Sequence, residues 1–291
     1  MKTLLILLLP TITFGQTVIQ GNVVNKKTKL KVPFATVGLT GENIGTNANE
    51  NGFFTLTQKV INLRDTLIVS CVGYETLKLP IENLPQTIEL YEKQVLLSEV
   101  TVTSKLKWEY VKLNEKDCGN IGYTTRGIQT QIAQFFTSPS DNAILKEVEI
   151  CKSNPLFETN KSVFRLRFYE MDTVTKAPSY ELCDDLIEVK TISKKTKVNL
   201  EKYKIHIPQR NFFVAIEWLK IPYNVNNEKV TIDGKKEEYI TYRPVLTCNH
   251  ASEKSQYKLG TPYEVWGLSY QNKWFPILWI KDLSVSATVK Y

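Results

Sequence analysis

The feature that most constrains this chain is the period of its apolar residues. They alternate every second position, in short runs, and seldom recur every third or fourth. The clearest run is 162–170, where Val163, Arg165, Arg167 and Tyr169 fall on one face and Phe164, Leu166 and Phe168 on the other. Successive side chains of a strand point to opposite faces, so a period of two reads as β structure. Turn residues punctuate the runs: Asn43 to Gly45, Asn49-Glu50-Asn51-Gly52, and Asn62 to Asp65. An Asn-Gly pair supplies the positive φ angles of a tight hairpin turn. Strands are predicted at 18–25, 35–39, 52–57, 66–72, 77–79 and 86–90. Short strands with frequent turns build sandwiches, so the fold class expected is all-β.

The first residues follow a different logic. Met1-Lys2-Thr3 precedes an apolar run from Leu4, then Pro10 and the small residue Gly15. One positive charge, a short greasy core and a small residue are the order of a secretory signal peptide. The apolar run is about 11 residues and a membrane span needs ~20. Residues 1–16 are therefore expected to be a leader cut near Gly15 or Gln16, with the mature chain exported. Residues 274–280 are the greasiest later stretch, yet they are short and contain Pro276, so the mature chain is predicted to have no membrane-spanning segment.

About 275 residues remain after such a cut, enough for two domains. With 42% apolar and 23% charged residues, each can bury a core. The formal charge of +7 drops to +6 without Lys2. An exported protein of that charge suits anionic surfaces or glycans rather than nucleic acid. Its lysines are also interleaved with acids, as in Lys235-Lys236-Glu237-Glu238, which reads as a solvated mixed surface. The five cysteines show no CxxC pair, so no zinc or redox motif is supported. Cys71 sits in an apolar strand pattern and reads as a buried small hydrophobe. Export permits disulfides, and Cys118, Cys151, Cys183 and Cys248 leave zero, one or two bridges open.

The first third carries a string of motifs in a set order. Gly21-Asn22-Val23-Val24 is followed by Val32-Pro33-Phe34-Ala35-Thr36-Val37, by Gly45-Thr46, by Asn51-Gly52-Phe53-Phe54, and by Val69-Ser70-Cys71-Val72-Gly73-Tyr74-Glu75-Thr76. This order resembles the carboxypeptidase-regulatory-like domain, a transthyretin-like or Ig-like β-sandwich common in exported proteins of Bacteroidetes. The resemblance implies a scaffold or interaction module without catalytic residues, in the periplasm, associated with the outer membrane, or secreted. Asn49 stands where that family usually has Asp, which argues against an acid-dependent cation site there. Leu96 to Thr103 resembles the segment that follows this domain in TonB-dependent outer-membrane receptors. Only 188 residues follow Thr103, too few for such a barrel, so the string reads as a final strand and exit. The first domain is placed at 17–103.

Residues 104–140 read as a connector with partial structure, broken by Gly119, Gly122 and Gly127 and closed by Ser138-Pro139-Ser140. A second domain is placed at 141–291, with strands at 144–151, 162–170, 185–192, 197–200, 212–219, 239–247, 263–270, 275–280 and 284–291. That number of strands suggests a jelly-roll-like sandwich. Arg165 to Glu170 and Phe212 to Trp218 resemble C-terminal domains attached to the first domain in Bacteroidetes, and galactose-binding-like jelly rolls.

Catalytic patterns are sparse. His206 and His250 stand alone, without the spacing of a zinc peptidase. There is no GxSxG elbow, phosphate loop or dinucleotide fingerprint, so no metal, cofactor or catalytic residue is predicted. Cys248 and His250, two apart on one strand, would share a face, and read as a packed pair. Asp184-Asp185 and Glu237-Glu238 are adjacent acids whose side chains diverge, unlike the facing carboxylates of a glycosidase. Trp266, Tyr270, Trp274 and Trp279 lie within 14 residues. Aromatic faces stack on sugar rings, so these four are the candidate ligand-binding residues, against the ordinary alternative of core packing. Three functions compete: a non-catalytic envelope module with a protein partner, a carbohydrate-binding protein, and a hydrolase whose site assembles from distant residues. Burial of the tryptophans weakens the second; the third needs a cleft where two acids, or Cys248 and His250, converge.

Overall fold

The structure is a computed structural model describing residues 17–41, 43–58, 62, 64–93, 107–115, 117–119, 121–153, 161–232, 235–251 and 263–291. The predicted leader and the segment Leu96 to Thr103 lie outside the described residues, as does Asp233-Gly234.

The first unit contains β1 (Thr17–Asn25), β2 (Thr36–Leu39), β3 (Gly45–Asn47), β4 (Phe53–Gln58), β5 (Thr66–Ser70), β6 (Leu77–Pro80) and β7 (Thr87–Leu90). One sheet has the order β4-β1-β7 and the other β3-β2-β5-β6. Alternation decides what each strand buries. Along β1, Ile19 and Val23 enter the core while Val18 stays outside; along β4, Phe54 enters and Phe53 faces solvent. Between the sheets these residues meet Val37, Leu39, Leu67, Val69, Ile88 and Leu90. Each such side chain contributes about 1.5–3 kcal/mol by leaving water. The turn before β4 is built as its sequence implies. Asn49 Oδ1 accepts from the amides of Asn51 (2.9 Å) and Phe53 (3.1 Å), and Gly52 takes φ +72°, which a side chain would oppose. Gly45, expected in a turn, instead opens β3, which pairs with β2.

The second unit begins earlier than its sequence suggests. It contains β8 (Tyr110–Leu113), β9 (Ile121–Thr125), β10 (Gln129–Thr137), β11 (Ala143–Cys151), β12 (Ser162–Met171), β13 (Pro178–Glu181), β14 (Ile187–Thr191) and β15 (Lys195–Asn199). After these come β16 (His206–Ile207), β17 (Asn211–Trp218), β18 (Val225–Ile232), β19 (Lys235–His250), β20 (Val265–Ser269), β21 (Trp274–Pro276), β22 (Ile280–Leu283) and β23 (Val285–Lys290). A seven-stranded sheet has the order β13-β12-β17-β10-β20-β21, with β14 also on β12. A second sheet runs β15-β11-β23-β8 with β16 on β11, and a third runs β18-β19-β22 with β9 on β19. Side chains from all three sheets share one core, including Phe164, Phe168, Phe212, Trp218, Leu145 and Leu283.

Two expectations need correction. The stretch read as a connector supplies β8, β9 and β10, and β10 lies between β17 and β20. Its polar residues concealed it: Gln129, Gln131 and Gln134 are buried along with Ile132 and Ala133, so no apolar alternation shows. Gly122 lies inside β9, whereas Gly127 does turn the chain, with φ +86°. The strand expected at 275–280 ends at Pro276, which has no amide to donate to the ladder. Among the open cysteine pairings the structure joins Cys118 to Cys151, 33 residues apart, and leaves Cys71, Cys183 and Cys248 free. Closing that loop contributes about 3–4 kcal/mol on the chain-entropy account. Among the described residues no helix is long and apolar enough to cross a membrane.

Candidate functional site

The site grows from the alternation of β12. Its odd-numbered face turns away from the second unit's core and carries Arg165 and Arg167, which are 0% and 8% exposed. Cations are seldom buried so completely unless paired. The first sandwich supplies the partners. Arg165 Nη2 donates to Pro33 O at 3.0 Å and Nη1 to Phe34 O at 3.3 Å, just before β2. Arg167 Nη1 donates to Glu217 Oε2 on β17 at 3.2 Å, and its Nη2 pairs with Glu181 Oε1.

That pair extends both ways into the first sandwich. Lys93 Nζ lies 3.0 Å from Glu181 Oε2. Thr36 Oγ1 donates to Glu217 Oε1 at 3.4 Å, and Asn47 Nδ2 donates to Thr36 Oγ1 at 3.1 Å. A continuous polar chain thus runs Lys93–Glu181–Arg167–Glu217–Thr36–Asn47 and crosses between the sandwiches at both ends. Removing one member of a buried ionic group strands its partners, which typically costs 3–5 kcal/mol. Burial, with the Arg167 charge assisting, holds the Lys93 ammonium below its usual pKa, and burial pushes the Tyr169 phenol up.

Further contacts bring the two units close. Lys220 Nζ donates to Gly45 O at 2.8 Å and sits 4.4 Å from the Tyr270 ring centre. Burial drops its pKa to about 8. Asn43 Oδ1 accepts from the Tyr270 amide at 2.8 Å. Gly45 is required here, because a Cβ on it would lie 2.1 Å from the Tyr270 ring. Between the units remains a cavity of about 360 Å³, lined by Thr36, Lys93, Gln131, Arg167, Glu217 and Trp274 among others.

The four candidate aromatics separate. Trp266 is buried, 6% exposed, and its indole N–H donates to Tyr263 O at 3.1 Å. Tyr270 is 3% exposed beneath the β2–β3 hairpin, where it serves the junction of the sandwiches. Both are packed in, and Tyr270 also lines the cavity. Trp274 is half-buried at the cavity, its ring edge-on to Tyr169 at 5.3 Å. Trp279 is 40% exposed beside a different hollow of about 560 Å³, 5.4 Å from Tyr123 and 5.4 Å from His250. What the linear pattern missed is the partnership of Arg167, Glu181, Glu217 and Lys93. The only signal available was two arginines on an otherwise buried strand pattern.

The other expectations resolve by position. Cys248 is fully buried in the core while His250 is exposed, so the two do not share a face. A register shift between Asn249 and His250 against β22 breaks the alternation. Asp184 and Asp185 are exposed in the segment between β13 and β14. Cys71 is buried against the first core, as its pattern implied, and its thiol pKa is pushed up by burial, contrary to a nucleophile's need. Two acids, Glu181 and Glu217, do converge at the cavity. Both are engaged by the one Arg167 guanidinium, whereas acid–base catalysis calls for a carboxyl free to exchange a proton with substrate. Among the described residues no cluster of three or more His, Cys, Asp or Glu could hold a metal ion.

Residues 19–102 match the family model of the CarboxypepD_reg-like domain. That span contains nearly all of the first sandwich, and the domain is a non-catalytic β-sandwich module. The molecule is thus an all-β protein carrying a regulatory-type sandwich docked on a second, larger β unit. No curated protein matches the chain.

Proposed function

We propose that this protein is an exported, non-catalytic module of the cell envelope, used for protein interaction or structural support. The observation that carries the reading is the attachment of the CarboxypepD_reg-like sandwich to the second unit through the buried chain from Lys93 to Asn47. That attachment makes the first sandwich a mounted part rather than a tethered one. The hydrogen bonds across the junction come from the segments around β2 and β3, from Cys71 after β5, and from Lys93. Among the described residues, β4 and β7 are the edge strands of the sheet β4-β1-β7. Such edges accept an added strand from a partner. The signal-peptide pattern of residues 1–16 supports a module outside the cytoplasm, periplasmic, outer-membrane-associated or secreted.

The test is fractionation of a tagged chain, with mass measurement of its N-terminus and cross-linking in intact cells. Envelope recovery, a terminus near Gln16 and a cross-link from β4 or β7 to one defined protein are the expected results. A full-length cytoplasmic protein that begins at Met1 would sink the proposal.

A further inference from the structure

The cavity between the sandwiches is more than a seam. Its volume, about 360 Å³, falls within the 300–1,000 Å³ typical of ligand sites. Four charged side chains line it, and they balance: Lys93 and Arg167 against Glu181 and Glu217. A balanced lining offers no net attraction to an ion, yet it presents fixed, charge-assisted hydrogen-bonding groups.

Donor capacity is left over. Arg167 Nε–H is buried without a partner, although its side chain is only 9% exposed. The Lys93 ammonium carries three donors and directs one to Glu181. The buried Arg167 donor calls for an acceptor oxygen from elsewhere, and Lys93, its side chain 39% exposed, adds donors at the cavity edge. Aromatic surface lies beside them, with Trp274 half-buried on the lining and Tyr180 78% exposed at the rim. A flat ring takes an apolar C–H face, and its neighbours take hydroxyls. Ligands that combine an apolar ring face with several oxygens and no charge are sugars.

We propose that the cleft between the two sandwiches binds a neutral saccharide of one or two rings. The site draws Lys93 and Thr36 from the first unit and Arg167, Glu217 and Trp274 from the second, so it exists only while the two are docked. It is independent of the envelope-scaffold role, which holds with or without sugar affinity.

The experiment is calorimetric titration of the full chain without its leader. The probes are neutral pyranose monosaccharides and their disaccharides, with a hexuronic acid and inorganic phosphate as charged controls. The expected result is binding of at least one neutral sugar. Trp274→Ala and Lys93→Met should each weaken it at least tenfold while thermal unfolding remains cooperative. Trp279→Ala, at the separate hollow, should leave it unchanged. The proposal is overturned if no neutral sugar binds, if only the charged controls bind, if neither cleft variant weakens binding, or if Trp279→Ala abolishes it.

Discussion

The two faces of β12 are buried alike and held by different physics. Phe164, Leu166 and Phe168 enter a core shared by three sheets of their own unit. Arg165 and Arg167, one position over, are buried against a different sandwich and held through their terminal nitrogens by named partners. The first face needs volume and apolar character, and many side chains of similar size would serve it. The second needs particular acceptors at particular positions, among them Pro33 O and Phe34 O, which lie 132 and 131 residues from Arg165. Burial alone therefore does not reveal how tolerant a face is.

Substitutions can break the comparison. Phe168→Ala should cost about 3–5 kcal/mol through lost transfer energy and a cavity. Arg167→Met should cost a similar 3–5 kcal/mol, because Glu181 and Glu217 lose their shared cation. What separates the faces is rescue. Adding Glu181→Gln and Glu217→Gln to Arg167→Met should restore most of the stability, and urea unfolding midpoints report it. If the triple variant is as unstable as the single one, the charges are not what hold that face.

A pH profile sharpens the polar side. Lys220 has a folded pKa of about 8, below the ordinary 10.5. Between those values the unfolded chain binds a proton that the folded chain has released, so this group makes stability rise with pH across that window. The gain should be on the order of 1 kcal/mol by pH 9. Lys220→Met should flatten that part of the rise, measured by denaturant unfolding between pH 7 and 9. Above pH 10 the buried Tyr270, its pKa raised by burial, works in the opposite direction. The smallest effect is expected for Thr36→Val. It removes the long hydrogen bond to Glu217 and the one accepted from Asn47, whose Nδ2 keeps Phe34 O, and should cost about 1 kcal/mol. A loss as large as that of Arg167→Met would mean that Thr36 anchors the junction itself.

Several elements were legible because their causes are local. The turn at Asn49 to Gly52 follows from an amide side chain that caps two backbone N–H groups and a residue without a Cβ. Alternation assigned both faces of β12 correctly, while only the structure chose Phe54 over Phe53 for the core. Strand β10 was not legible, because it is buried by polar contacts as well as apolar ones. Gln134 Oε1 accepts from the Leu283 amide at 2.7 Å, and Gln131 Oε1 accepts from Tyr169 at 2.9 Å. Tyr270 could not be assigned in one dimension for a related reason. An aromatic looks the same in sequence whether a sugar or a glycine-lined hairpin covers it.

The sequence by itself determined the β class, the turn at Asn49 to Gly52, the motif order of the first sandwich and the burial of Cys71. Period and backbone conformation are properties of neighbouring residues, so they survive reading in one dimension. Only the tertiary structure decided that Cys118 bonds Cys151, that β10 completes the seven-stranded sheet, and that Arg167 gathers Glu181 and Glu217 beside Lys93. Those outcomes depend on the docking of one sandwich on another. The side chains brought together there are distant along the chain, and spacing carries no trace of their meeting.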